Sequence, residues 1–186
     1  MDREAIVKQA RRVVEAEGID SLSVRGLARD LGVSAPALYE YIESKEELLR
    51  LLAQDGYATL AHRWDEIGGP PIDWLAATAA AYVDFAVDNP GLFSLMHRFG
   101  PAALVGDTGI EHPSATTLFD RGRERIEAAI AAGELVDRDP LELATGLWAA
   151  AHGVATVALM AHGLIDHRTL IEQVTSGLLT GWRPDA

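Results

Sequence analysis

The sequence predicts an all-α chain of about nine helices. Apolar residues recur three and four apart along most of its 186 residues, and no alternating apolar and polar stretch competes as a strand. Strong breakers punctuate the pattern at Gly18, Gly32, Gly68-Gly69-Pro70-Pro71, Asn89-Pro90, Gly133 and Asp139-Pro140. With 48% apolar residues the chain can bury one good core, or one core and a small appended module.

The first helix is expected from about Arg3 to Glu17, with Ile6, Ala10, Val13 and Val14 as its buried stripe and Gly18 as its stop. Val24, Leu27, Ala28 and Leu31 then recur at helical spacing until Gly32 interrupts, and Leu38 and Ile42 resume on a second short helix. Ser34 can cap that helix, and Pro36 is tolerated because amides of a first turn have no intrahelical acceptor. Leu38 and Ile42 point inward with Val33, which leaves Ala35, Pro36, Ala37, Tyr39 and Glu40 outward. Three helices in so short a span make a marginal core, so they must lean on the rest of the protein. Ser44 and Glu47 form a capping box, and Leu48, Leu49, Leu52, Leu60 and Trp64 carry a long fourth helix to about Ile67. That helix is the expected lever between the first three helices and the body.

After the Gly-Gly-Pro-Pro break, a fifth helix is expected from about Ile72 to Val87, with Trp74, Tyr82 and Phe85. Asn89-Pro90 restarts a sixth with Leu92, Phe93, Leu95 and Met96, before a Gly- and Pro-rich loop from Gly100 to Pro113. A seventh spans Ser114 to Ala132, with Leu118, Ile126 and Ile130 on one side and Gly133 as its stop. Asp139, Pro140 and Glu142 open the eighth. From Leu143 to Ile165 there is no Asp, Glu, Lys or Arg, long enough for a membrane span. Thr145, His152, Thr156, His162 and many alanines and glycines dilute that run, and no basic flank orients it. A helix apolar on all sides is also one covered by its own core and by a partner subunit, which is the reading adopted. The last helix, from about Arg168 to Trp182, carries Ile171, Val174 and Leu178, with Gly177 and Gly181 spaced for close approach of another helix.

Helix, tight turn, helix is the layout in which a second helix enters a DNA groove by its N-terminal residues. The elements Leu27-Ala28, Leu31-Gly32-Val33-Ser34, Leu38-Tyr39, Tyr41, and Lys45 followed by Leu48 make a longer and more demanding string than a bare helix-turn-helix. Over residues 22 to 48 the chain resembles the DNA-binding segment of TetR-family transcriptional regulators; beyond that the likeness is architectural. The resemblance implies an N-terminal three-helix DNA-binding domain over residues 1–48 and a helical effector-binding and dimerisation domain over 49–186. It further implies a homodimer through the last two helices, about 140–182, that binds a palindromic double-stranded DNA operator and is released by a small molecule. Two reading helices then need half-sites about 34 to 36 Å apart, or a multiple.

By the same resemblance Tyr39, Tyr41 and Lys45 bind phosphates, with help from Ser23 or Arg25, and Ser34 belongs to the same surface. Phosphate contacts position the protein and base-edge contacts specify the sequence. Arg25 can make a bidentate contact with guanine, whereas Ala35, Pro36 and Ala37 offer apolar contact to thymine methyls. Glu40 either accepts from a cytosine amino group or weakens binding near phosphate. Tyr82, Phe85, Phe93, Met96, Trp148 and His152 are candidate effector contacts, being bulky or polar within aliphatic helices; plain core packing is the competing role of each. His97 and His162 read as incidental rather than as metal ligands, and no metal or cofactor is expected.

Charge alone does not point to DNA. The net charge is −12, residues 1 to 48 carry seven basic and ten acidic side chains, and the remainder nine and eighteen. An acidic body that repels phosphate, leaving one local surface able to approach DNA, reconciles the two readings. There is no cysteine, so disulfides and thiolate chemistry are excluded. The N-terminal MDREAIVK carries charges where a signal peptide needs an apolar core, and a cytoplasmic chain is expected. Paired Glu-x-x-His motifs, HExxH, GxSxG, Walker A and GxGxxG are all absent, so no enzyme is expected. A helical interaction module without DNA binding is the alternative that suits the acidic charge and Glu40.

Overall fold

The computed structural model describes residues 2–98, 113–161 and 163–184; His162 and nearly all of the loop expected from Gly100 to Pro113 lie outside them. Among the described residues there are nine α-helices and a 3₁₀ turn (Ile19–Ser21), with no strand. The helices are α1 (Arg3–Glu17), α2 (Val24–Asp30), α3 (Ala35–Leu38), α4 (Lys45–Asp65), α5 (Pro71–Asp88), α6 (Pro90–Arg98), α7 (Pro113–Ala131), α8 (Pro140–Ala161) and α9 (His167–Gly181).

Their ends follow local chemistry. Asp2 caps α1 by accepting from the Ala5 amide at 2.8 Å. At the end of α2, Gly32 takes a φ of 70°, its amide donates to the Arg29 carbonyl, and Val33 donates to Ala28. That pair of bonds is the Schellman arrangement, which needs a left-handed residue where Gly32 stands. The Ser44 hydroxyl accepts from Glu47 to open α4, as the capping box predicts. Asp166 opens α9 by accepting from the Arg168 and Thr169 amides and the Thr169 hydroxyl.

The chain divides into two compact units, Met1–Ala58 with Asn89–Ala115, and Thr59–Asp88 with Thr116–Ala186. The first is larger than the expected 1–48 segment: it takes in most of α4 and all of α6. Its core is Ile6, Ala10, Val14, Leu22, Leu27, Leu38, Ile42, Leu48 and Leu52 from the N-terminal segment, with Leu92 and Leu95 from α6. Val33, expected inward, is only half-buried. Two glycines seat α6. A Cβ on Gly91 would stand 2.9 Å from the Val14 carbonyl oxygen, and one on Gly56 2.7 Å from Met96 Sδ. The Glu15 carboxylate accepts from the Gly91 and Leu92 amides at 3.3 and 3.1 Å, neutralising the positive end of α6.

In the second unit α5, α8 and α9 pack pairwise on one another. Leu143, Leu147, Ala151, Val154 and Ala158 line the buried side of α8. By length and composition α8 is long and apolar enough to cross a membrane, with 33% of the stretch buried. The uncharged run continues to Ile165, but the helix stops at Ala161, and Gly163 turns the backbone with a φ of 81°. Gly177 and Gly181 are exposed, with open space where a Cβ would stand. It is Gly146 that another residue approaches, the Trp182 ring 3.4 Å from its notional Cβ.

Candidate functional site

The α2–α3 corner is built from short-range bonds. The Ser23 hydroxyl oxygen accepts from the Gly26 amide at 3.1 Å, and that of Ser34 from Ala37 at 3.4 Å. Each hydroxyl proton remains available to an outside acceptor. The second helix is shorter than expected. Only Ala35–Leu38 is helical, and residues 39 to 41 form turns in which Tyr39 donates to the Pro36 carbonyl and Tyr41 to Leu38. Ile42 is nevertheless buried, because its amide reaches the Leu38 carbonyl at 3.1 Å and keeps the helical path.

This turn decides what faces solvent. Tyr39 is 53% exposed and Tyr41 36%, and Ser23, Arg25, Ser34, Pro36, Glu40 and Lys45 are exposed as well. Ala35 and Ala37, expected outward, are half-buried. Arg25 and Lys45 have no ion-pair partner among the described residues, whereas Arg3, Arg11 and Arg98 pair with Glu47, Asp55 and Glu46. The corner therefore exposes uncompensated cations, tyrosyl and seryl hydroxyls and Pro36.

The six residues expected to contact an effector fall in different units. Phe93 and Met96, buried on α6, belong to the first, where the Met96 carbonyl accepts from the Tyr57 hydroxyl at 3.2 Å. Burial raises the ionisation of that phenol far above its ordinary range, so it is a fixed donor. Tyr82, Phe85, Trp148 and His152 belong to the second. There the Tyr82 hydroxyl lies 3.2 Å from His152 Nδ1, and the Trp148 and His152 rings stack at 5.4 Å. Burial lowers the His152 pKa, favouring a neutral ring. Phe85 is core, with the Arg63 guanidinium over its face at 5.5 Å. His97 is half-buried against the Phe93 carbonyl.

Two family models match the chain. One, described as bacterial regulatory proteins of the tetR family, covers residues 6–52; the other, a tetracyclin repressor-like C-terminal domain, covers residues 75–177. The chain belongs to the TetR family.

An HTH-type transcriptional regulator of Mycobacterium bovis is 37% identical to this TetR-family chain over 135 residues, 70% of the chain and 58% of that relative. The chain thus spans somewhat over half the length of that curated relative. A further HTH-type regulator, from Mycobacterium tuberculosis, is 29% identical over 89% of the chain and 73% of its own length. Among solved structures, a Rhodococcus protein of unknown function superposes with a TM-score of 0.84 at 27% identity, covering 98% of this chain and 95% of its own. A TetR/AcrR-family regulator from Thermobifida fusca has the same fold, with a TM-score of 0.75 at 22% identity over 98% of both chains.

Sequence reasoning missed the polar joint that seats α6 in this TetR-family chain. Arg11 donates to Asp55 and to the Asn89 side chain, both at 2.9 Å, and Glu15 caps α6. The Asn89-Pro90 restart marked where α6 begins, but nothing local shows that its partners lie 76 to 78 residues away.

Proposed function

We propose that the chain is a cytoplasmic, ligand-responsive transcriptional repressor that binds a palindromic DNA operator as a homodimer through α8 and α9. The observation that carries this reading is the corner itself. Among the described residues Arg25 and Lys45 have no carboxylate partner, and the Tyr39 and Tyr41 side chains are exposed, in a chain whose net charge is −12. Lys45 and the tyrosines suit phosphate oxygens, the Ser23 and Ser34 hydroxyls can donate to the same backbone, and Arg25 can reach a base edge. Ala35 and Pro36 let the turn lie close to the groove, where Glu40 either accepts from a cytosine amino group or weakens binding near phosphate. The family assignment and the exposed outer face of α8 support the dimer. Tyr82, Trp148 and His152 are the effector contacts favoured by their mutual geometry.

An effector that favours one arrangement of α4 shifts the equilibrium only by its differential affinity, about 1 to 3 kcal/mol per coupling, and DNA weakens effector binding equally. A gel shift with the DNA flanking the chain's own gene tests the reading. Retardation that needs about tenfold more protein in Lys45→Ala is expected. No retardation, or retardation unchanged in the variant, would overturn it in favour of an interaction module.

A further inference from the structure

We propose that Trp64, Trp74, Arg121 and Arg125, in the second unit, form a binding site for a small organic carboxylate. Trp74 on α5 is 1% exposed and meets Trp64 in the last turn of α4 edge to face, ring centres 5.4 Å apart. Neither indole N–H has an acceptor among the described residues, although both nitrogen atoms are buried. An edge-to-face pair turns at most one N–H toward the other ring, so at least one donor is left over. Native interiors rarely leave such a group without a partner, because a buried unmatched donor forfeits its hydration.

The groups gathered around these rings are donors too. The Arg121 and Arg125 guanidinium carbons, one helical turn apart on α7, lie 5.8 and 5.2 Å from the Trp74 ring centre. Arg121 donates to the Asp65 carboxylate at 2.8 Å and to the Trp64 carbonyl at 3.4 Å. Arg125 has no ion-pair partner among the described residues. Among the described residues two cations and two indole donors are thus matched by one carboxylate and one backbone carbonyl, and an anion supplies the acceptor that is short. A carboxylate's two coplanar oxygens fit the guanidinium fork. Asp65 already shows that Arg121 accepts such a group; its side chain is 62% exposed, so the pair is weakly held and a ligand carboxylate can replace it. Under the ligand-responsive reading above, on which this consequence rests, such a ligand acts as an effector, since Arg121 grips the last turn of α4.

The test is a titration of the full chain, without DNA, with benzoate or acetate, followed by tryptophan fluorescence and calorimetry, with benzamide as the neutral control. Saturable binding of a carboxylate but not of benzamide is expected. Arg125→Gln should weaken it about tenfold or more, and Asp65→Asn, which removes the competitor, should tighten it about threefold. Both side chains reach solvent, and circular dichroism verifies that the variants are folded. No saturable signal with either carboxylate, equal binding of benzamide, or unchanged affinity in Arg125→Gln would overturn the site. Failure of every gel shift would overturn the proposed function and leave this site standing, because the titration contains no DNA.

Discussion

The corner around α3 and the outer face of α8 both leave large side chains in solvent, yet they are chemically opposite. At the corner each large exposed group ends in a hydroxyl or a charge, as with Tyr39, Tyr41, Arg25 and Lys45. On α8 the exposed stripe of Ala149, Gly153, Thr156, Val157 and Met160 is mostly aliphatic, with Met160 74% exposed, and Leu164 just beyond the helix is 89% exposed. The first surface is at ease in water and suits a polyanion. The second loses about 25 cal/mol for every Å² left wet and suits a surface like itself. Exposure alone does not tell the two apart; the atoms at the tips of the side chains do.

The largest expected effect breaks the apolar side of this contrast. Met160→Glu places a charge where the dimer would bury it, and the dimer dissociation constant should rise about a hundredfold or more, read by light scattering. A monomeric parent chain, or an undiminished dimer in the variant, removes the assignment of that face. Next comes the joint that seats α6 against α1. Gly91→Ala drives a methyl group into Val14 and should destabilise the chain by about 2 kcal/mol in denaturant unfolding. Gly122→Ala, with open space around it on α7, should stabilise by about 0.5 to 1 kcal/mol. Equal effects would mean that α6 is not held as tightly as the spacing implies.

The polar side is sharpened by a pair of variants. Lys45→Ala should weaken binding to all duplex sequences about tenfold, while Arg25→Ala should relax preference at one base position, worth about 1 to 3 kcal/mol. Identical selectivity profiles for the two variants would erase the division between positioning and reading. The smallest effect concerns the interior behind α8. Burial holds the His152 pKa below its ordinary 6.5, so the unfolded chain takes up that proton more readily. The stabilising contribution is therefore complete above the unfolded value and is lost as pH falls through and below it. The melting temperature of the parent should drop more than that of His152→Gln between about pH 7.5 and pH 5.5; parallel curves would refute the assignment.

Much of the corner is legible from local chemistry. Ser34, Pro36 and Gly32 act through bonds to residues within five positions, and Ser44 with Glu47 does the same for α4. The expected end of the second helix is less accurate: Leu38 and Ile42 have helical spacing, yet residues 39 to 41 tighten into turns with carbonyls three residues back. Spacing cannot distinguish those two paths, since both bury Ile42. The effector residues were legible only as types. Bulky side chains at Tyr82, Phe93 and Met96 look alike in the sequence, but Phe93 and Met96 pack in the first unit while Tyr82 meets His152, 70 residues away, in the second.

The sequence by itself determined the all-α class, the breaks between helices and the local bonds of Gly32, Ser34 and Ser44, because these depend on neighbours one or two helical turns away. Only the tertiary structure decided that α6 joins the first unit, that Arg121 and Arg125 gather over Trp74, and that Tyr82 reaches His152. Those pairings depend on shape matching between distant segments, such as the missing side chain of Gly91 against Val14, and no periodicity records which distant surface a buried face will meet.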